Sequence, residues 1–173
     1  GRIIYANIRK FVYFLLSSNV AEIMIIFLAT LAGTPMPLTA IQLLWLNLLT
    51  DGAPALALAM EKGDPDAMQR PPRPTNEPII NGPMQAGIGV QTVLQTGAVL
   101  GAFAIGLIWE LAAHGHPIPE GMTALGHILS FKNWDLVSEE VRTAETMAFV
   151  TLSLCELFRA YTVRSERASI FQL

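Results

Sequence analysis

Long apolar runs broken by short polar stretches set the organisation of this chain. Residues 11–32, 38–60, 84–113 and 144–163 each reach or exceed the roughly 20 residues that a helix needs to cross the hydrocarbon core of a bilayer. Between them lie a tight GTPMP turn, a proline- and charge-rich loop over residues 61–83, and a mainly polar loop over residues 114–143 with an amphipathic turn near Ile128 to Trp134. The pattern predicts an all-α membrane protein, a bundle of four spans. Residues 1–10 are polar and basic but carry isoleucines and a tyrosine, so the first helix is expected to begin outside the bilayer. The third span is dense in Gly87, Gly89, Gly97, Gly101 and Gly106, which lets neighbouring helices approach closely.

The stretch QLLWLNLLTDGAP at 42–54 interrupts this regularity. It sets Asn47, Thr50 and Asp51 on one helical face, at i, i+3 and i+4, in the middle of an apolar span. Pro54 follows directly. It has no N–H, and its ring clashes with the carbonyl of Thr50, so the second helix is expected to unwind near Asp51 to Pro54 and free carbonyls there. An ionisable residue at membrane depth beside a broken helix points to an ion or substrate site.

Composition agrees with the membrane reading: 52% of residues are hydrophobic and 14% charged, with the charges gathered in blocks. A net charge of -3 argues against nucleic acid as a partner. The single cysteine, Cys155, cannot close an intrachain disulfide. With four spans both ends of the chain share a side with the 61–83 loop. That side collects Arg2, Arg9, Lys10, Lys62, Arg70, Arg73, Arg159, Arg164 and Arg167, leaving Lys132 and Arg142 of the 11 Lys and Arg for the other. Cytoplasmic termini are therefore expected. Arg70 and Arg73, fixed between prolines, are either presented to another surface or part of a plain linker.

Four carboxylates fall within the spans. Measured along the helices from the cytoplasmic ends, Glu22 lies roughly 16 Å deep, Asp51 roughly 14 Å and Glu156 roughly 10 Å, whereas Glu110 lies roughly 39 Å along its helix and is expected at the far interface, without a role. Three acids at one depth face only Arg159 as an internal counter-charge, so protons or a bound cation must supply the balance. Asn19, Asn47 and Thr50 add neutral oxygens. Such hard, mixed oxygen ligands suit Ca²⁺, with Na⁺ as competitor, and the lack of Cys or His in the set argues against softer metals. His114 and His116 are expected to be solvated loop residues.

The runs SSNVAE, QLLWLNLLTDGAPALAL, DAMQRPPRPTNEPII and ETMAFVTLSLCELFRA resemble the C-terminal membrane half of P-type Ca²⁺-transporting ATPases of the sarco/endoplasmic reticulum type, over nearly the whole chain. The resemblance implies that the four spans are that family's fifth to eighth helices. It further implies that Asn19, Glu22, Thr50, Asp51 and Glu156 line one cation site, and that Asn47 and Asp51 belong to a second completed by a helix outside this chain. The 61–83 loop would contact the cytoplasmic phosphorylation domain, with Mg²⁺ and ATP used only in the parent protein. No DKTGT motif is present. The chain is thus expected to be a fragment, embedded in membrane lipid, that cannot hydrolyse ATP alone. The cysteine-free far loop suggests a bacterial plasma-membrane pump. Arg159, one turn from Glu156, departs from the family pattern and either pairs with that acid or snorkels to the cytoplasm. The rival readings are a Na⁺ or Na⁺/K⁺ pump using the same face, and an anchoring module whose Asn and Thr merely bond between helices.

Overall fold

The computed structural model describes residues 1–62, 78–131 and 141–163. Helix α1 spans Arg2–Leu31, 30 residues or about 45 Å, longer than a bilayer core needs. It ends in a glycine-dependent cap: Gly33 takes φ +69°, and the N–H groups of Gly33 and Thr34 donate to the carbonyls of Thr30 and Ala29. These bonds satisfy carbonyls that the helix end would otherwise leave without partners. Thr39 and Gln42 then form a reciprocal capping box that starts α2, Ala40–Trp45.

The path continues through a π-helical segment, Leu46–Asp51, into α3, Gly52–Ala59. The expected unwinding near Asp51 to Pro54 is corrected here, because Gly52 to Ala59 is α-helical and the irregularity lies one turn earlier, as a widened helix. The physical cause is the one anticipated, relieved differently. Pro54 cannot bond the carbonyl of Thr50, and a wider turn before it absorbs the misfit without exposing a run of backbone.

Helix α4, Gly82–Ala113, starts on Asn81, whose side chain accepts from the Met84 N–H at 3.1 Å, with Pro83 in its first turn. A short α5, Ala124–Ser130, is capped by Thr123; Trp134, expected in an amphipathic turn, lies outside the described residues. Helix α6, Arg142–Val163, returns along the bundle.

Side-chain contacts fix the directions. Arg9 and Tyr13 of α1 meet Met84 and Gly87 at the start of α4, so these two helices run parallel. Gly106, late in α4, lies against Ala144 at the start of α6, so those two are antiparallel. Helix α4 packs against both α1 and α6. Its upper half forms an apolar core in which Val99, Phe103 and Leu107 meet Ile25, Ala148 and Leu152. A smaller core of Phe14, Ala55, Leu58 and Val163 closes the end where α1 begins.

Large apolar side chains such as Ile23, Phe27, Leu48, Val93, Trp109 and Phe158 point outward, as they do in a protein solvated by lipid. Among the described residues three helical stretches are long and apolar enough to cross a membrane: Arg2–Leu31, Ala40–Ala59 and Gly82–Ala113. The chain is an integral membrane, all-α protein. Helix α6 has a comparable length of 22 residues, but Glu145, Glu156 and Arg159 lower its hydropathy.

Candidate ion-binding site

Three helical paths deliver the acids. Glu22 comes from α1, Asp51 from the end of the π segment and Glu156 from α6; they are 5%, 1% and 0% exposed. They lie close enough for Glu156 to feel the charge of both others, and Glu22 that of Asp51. Both carboxylate oxygens of Asp51 and of Glu156, and Oε1 of Glu22, have no hydrogen-bond partner among the described residues. Burying a charged oxygen without a partner is costly, so five such atoms at one level of the bundle mark a place prepared for something that binds.

The neutral ligands expected from the sequence are arranged less uniformly. Thr50 is buried beside Asp51. Asn47 is exposed on this chain, and its Nδ2 donates to Glu22 Oε2 at 3.1 Å and to the Leu43 carbonyl at 3.0 Å. Asn19 is half-buried and donates to the Leu15 carbonyl of its own helix at 2.8 Å. Ser18 Oγ, which the sequence reading passed over, is buried beside Asp51 but too loosely placed for a hydrogen bond. Among the described residues no three His, Cys, Asp or Glu side chains converge as ligands of one metal ion. The acids sense one another across the site without surrounding a common point.

Arg159 does not pair with Glu156 among the described residues. Its guanidinium lies 4.7 Å from the centre of the Tyr13 ring, with Nη1 3.3 Å from Thr162 Oγ1 and Nε 3.5 Å from Ser17 Oγ. The cation–π contact and the hydroxyls draw it towards the end of the bundle where α1 begins, leaving Glu156 to its own surroundings.

Further polar contacts join the elements. Asn7 Nδ2 donates to the carbonyls of Ala59 and Glu61, at 3.1 and 2.6 Å, and Lys10 Nζ sits 3.3 Å from Glu61 Oε2. Together they fasten the start of α1 to the end of the helix that carries Asp51. The i, i+3 spacing of Asn7 and Lys10 was the available signal. Glu110, expected to be without a role, is 7% exposed and accepts from the Thr143 N–H at 2.6 Å. It caps α6 from a neighbouring helix, a contact that only the antiparallel packing creates. In the HGH pair, His114 Nδ1 bonds the Glu110 carbonyl and His116 stacks edge-on to Phe131.

Comparison with known proteins gives this geometry a family. The model of the cation-transporting ATPase C-terminus matches residues 35–173. A calcium-transporting ATPase of Bacillus subtilis is 37% identical over 99% of this chain and 16% of its own length. Calcium-transporting ATPase 1 of Bacillus cereus is 38% identical over the whole chain and 18% of its own length. A P-type sodium-transporting ATPase of Toxoplasma gondii is 46% identical over 62% of the chain and 8% of its own length. The chain therefore spans less than a fifth of the length of these relatives. It belongs to the cation-transporting P-type ATPases, as the C-terminal transmembrane portion of such a pump.

Proposed function

We propose that this chain is the ion-binding membrane portion of an ATP-driven pump that exports Ca²⁺ across a bacterial plasma membrane. The observation that carries the reading is the level at which Glu22, Asp51 and Glu156, from three helical paths, are buried with five partnerless carboxylate oxygens. A divalent cation with a taste for six to eight hard oxygens suits that set. Asn19, Glu22, Thr50, Asp51 and Glu156 line one site, and Asn47 with Asp51 contributes to a second completed outside this chain. Two relatives named as calcium-transporting support the choice of ion.

In this reading α6 is the fourth span and both termini are cytoplasmic. Cation entry draws the acids inward from the spread arrangement described above, moving α1 and the π segment. The Asn7 and Lys10 contacts to Ala59 and Glu61 join those two elements at their shared end, so the movement reaches the α1 start and the 61–83 loop together. Cytoplasmic domains of the parent protein read the movement there and supply ATP chemistry. Phosphorylation in turn reorients the helices, and the ions leave outward.

A sodium pump is the second reading, favoured by the Toxoplasma relative named for sodium. The test uses the full-length parent pump in membranes, with Asp51→Asn beside the wild type. Saturable ⁴⁵Ca²⁺ binding and Ca²⁺-dependent phosphorylation by ATP are expected in the wild type and lost in the variant. Phosphorylation that survives Asp51→Asn overturns the site, and turnover driven by Na⁺ but not Ca²⁺ transfers the assignment to sodium.

A further inference from the structure

Partnerless buried polar atoms are not confined to the acids. Thr92 Oγ1, Gln95 Nε2 and Thr96 Oγ1 on α4 and Ser18 Oγ on α1 also lack partners, and all four residues are more than nine-tenths buried, at 8%, 2%, 6% and 1% exposure. Their level follows from the packing register. Helix α4 meets α6 at Gly106 and Ala144; from there Gln95 lies 11 residues back and Glu156 lies 12 residues on, about 16 and 18 Å along antiparallel axes. On the other side Tyr13 meets Gly87 in parallel helices, which brings Ser18 level with Thr92. The stripes agree as well. Glu156 continues the α6 face of Ala144, Ala148 and Leu152, and Thr92, Gln95 and Thr96 continue the α4 face of Val99 and Phe103 against which those residues pack.

We propose that Thr92 and Thr96, with Ser18 and Glu156, form a side lobe of the ion site, lined also by Gln95, that binds a monovalent inorganic cation. Charge decides the valence. One carboxylate with neutral hydroxyl groups balances a single positive charge. Gln95 lines the lobe without ligating the ion, because its Oε1 accepts from Gln91 Nε2 at 2.9 Å and its remaining polar atom, Nε2, is a donor. The lobe deepens the proposed Ca²⁺ function, because a cation there shares Glu156 with the site between α1 and the π segment and so competes with Ca²⁺ for it.

The experiment uses the full-length pump in membranes, as wild type, as Thr92→Val/Gln95→Leu/Thr96→Val, and as the milder Thr96→Val alone, with detergent size-exclusion profiles as the folding control. Binding of ²²Na⁺ and of ⁸⁶Rb⁺ as a K⁺ probe is measured without Ca²⁺. Saturable binding in the wild type that the triple variant loses and Thr96→Val weakens is the expected result, and the better-bound probe identifies the ion. Equal binding in wild type and variants, or none in the wild type, overturns the lobe. In choline medium ⁴⁵Ca²⁺ affinity should be the same in wild type and triple variant, and adding the monovalent cation should lower it about fivefold or more in the wild type alone. Absence of ⁴⁵Ca²⁺ binding in choline refutes the calcium reading separately, while the ²²Na⁺ and ⁸⁶Rb⁺ comparison still decides the lobe.

Discussion

Replacing Gly106 with alanine tests the contact that sets α4 against α6. A Cβ at this position would stand 2.5 Å from the Cα, 2.8 Å from the Cβ and 3.1 Å from the N of Ala144. Carbon atoms rest at about 3.5–4.0 Å, so the two backbones must part by roughly 1 Å, and no flexible side chain is available to yield instead. A gap of that size forfeits a quarter to a half of the contact energy of the atoms lining it, here among Phe103, Leu107, Ala148 and Leu152. Overpacking of this kind costs about 1–3 kcal/mol. Gly97→Ala and Gly101→Ala are the controls, because a Cβ at either position meets nothing within 4 Å and alanine is the better helix former. The assay is thermal inactivation of the full-length pump in detergent, at a fixed scan rate because such unfolding is irreversible. Gly106→Ala should inactivate at clearly lower temperature than both controls. Equal inactivation of all three would refute the backbone-contact argument.

Two further outcomes are expected. Glu110→Gln keeps the shape but removes the charge that caps α6, and should cost about 1 kcal/mol, read as faster amide hydrogen exchange over residues 143–146 with the site helices unaffected. Asn7→Ala should leave the carbonyls of Ala59 and Glu61 without their donor, at about 1–3 kcal/mol, and raise exchange at the end of α3; Lys10→Met, which removes one ion pair, should cost about 1 kcal/mol or less.

Much of the site could be read from residue type and depth. Glu22, Asp51 and Glu156 stand out because an acid in an apolar span is expensive, and helical rise alone places them at one level. Asn47 and Asn19 show the limit of that reasoning. Both sit at the right level, but rotation about the helix axis decides whether an amide enters the site, and Asn47 lies exposed at the rim, donating to Glu22, while Asn19 found an acceptor one turn back. Glu110 illustrates the same limit from the other side. Its distance along α4 was legible, whereas its capping of Thr143 exists only because α6 begins beside it.

The sequence by itself determined the all-α membrane architecture, the helical stretches and the acids held within them, because apolar length and the cost of buried charge act locally along one helix. Tertiary structure decided the rest. The turn towards Tyr13 that takes Arg159 away from Glu156, the α4 hydroxyls set level with that acid, and the clamp between Asn7 and the end of α3 each depend on the register between helices. That register is set by close contacts such as Gly106 on Ala144 and Gly87 on Tyr13, which no pattern within a single helix encodes.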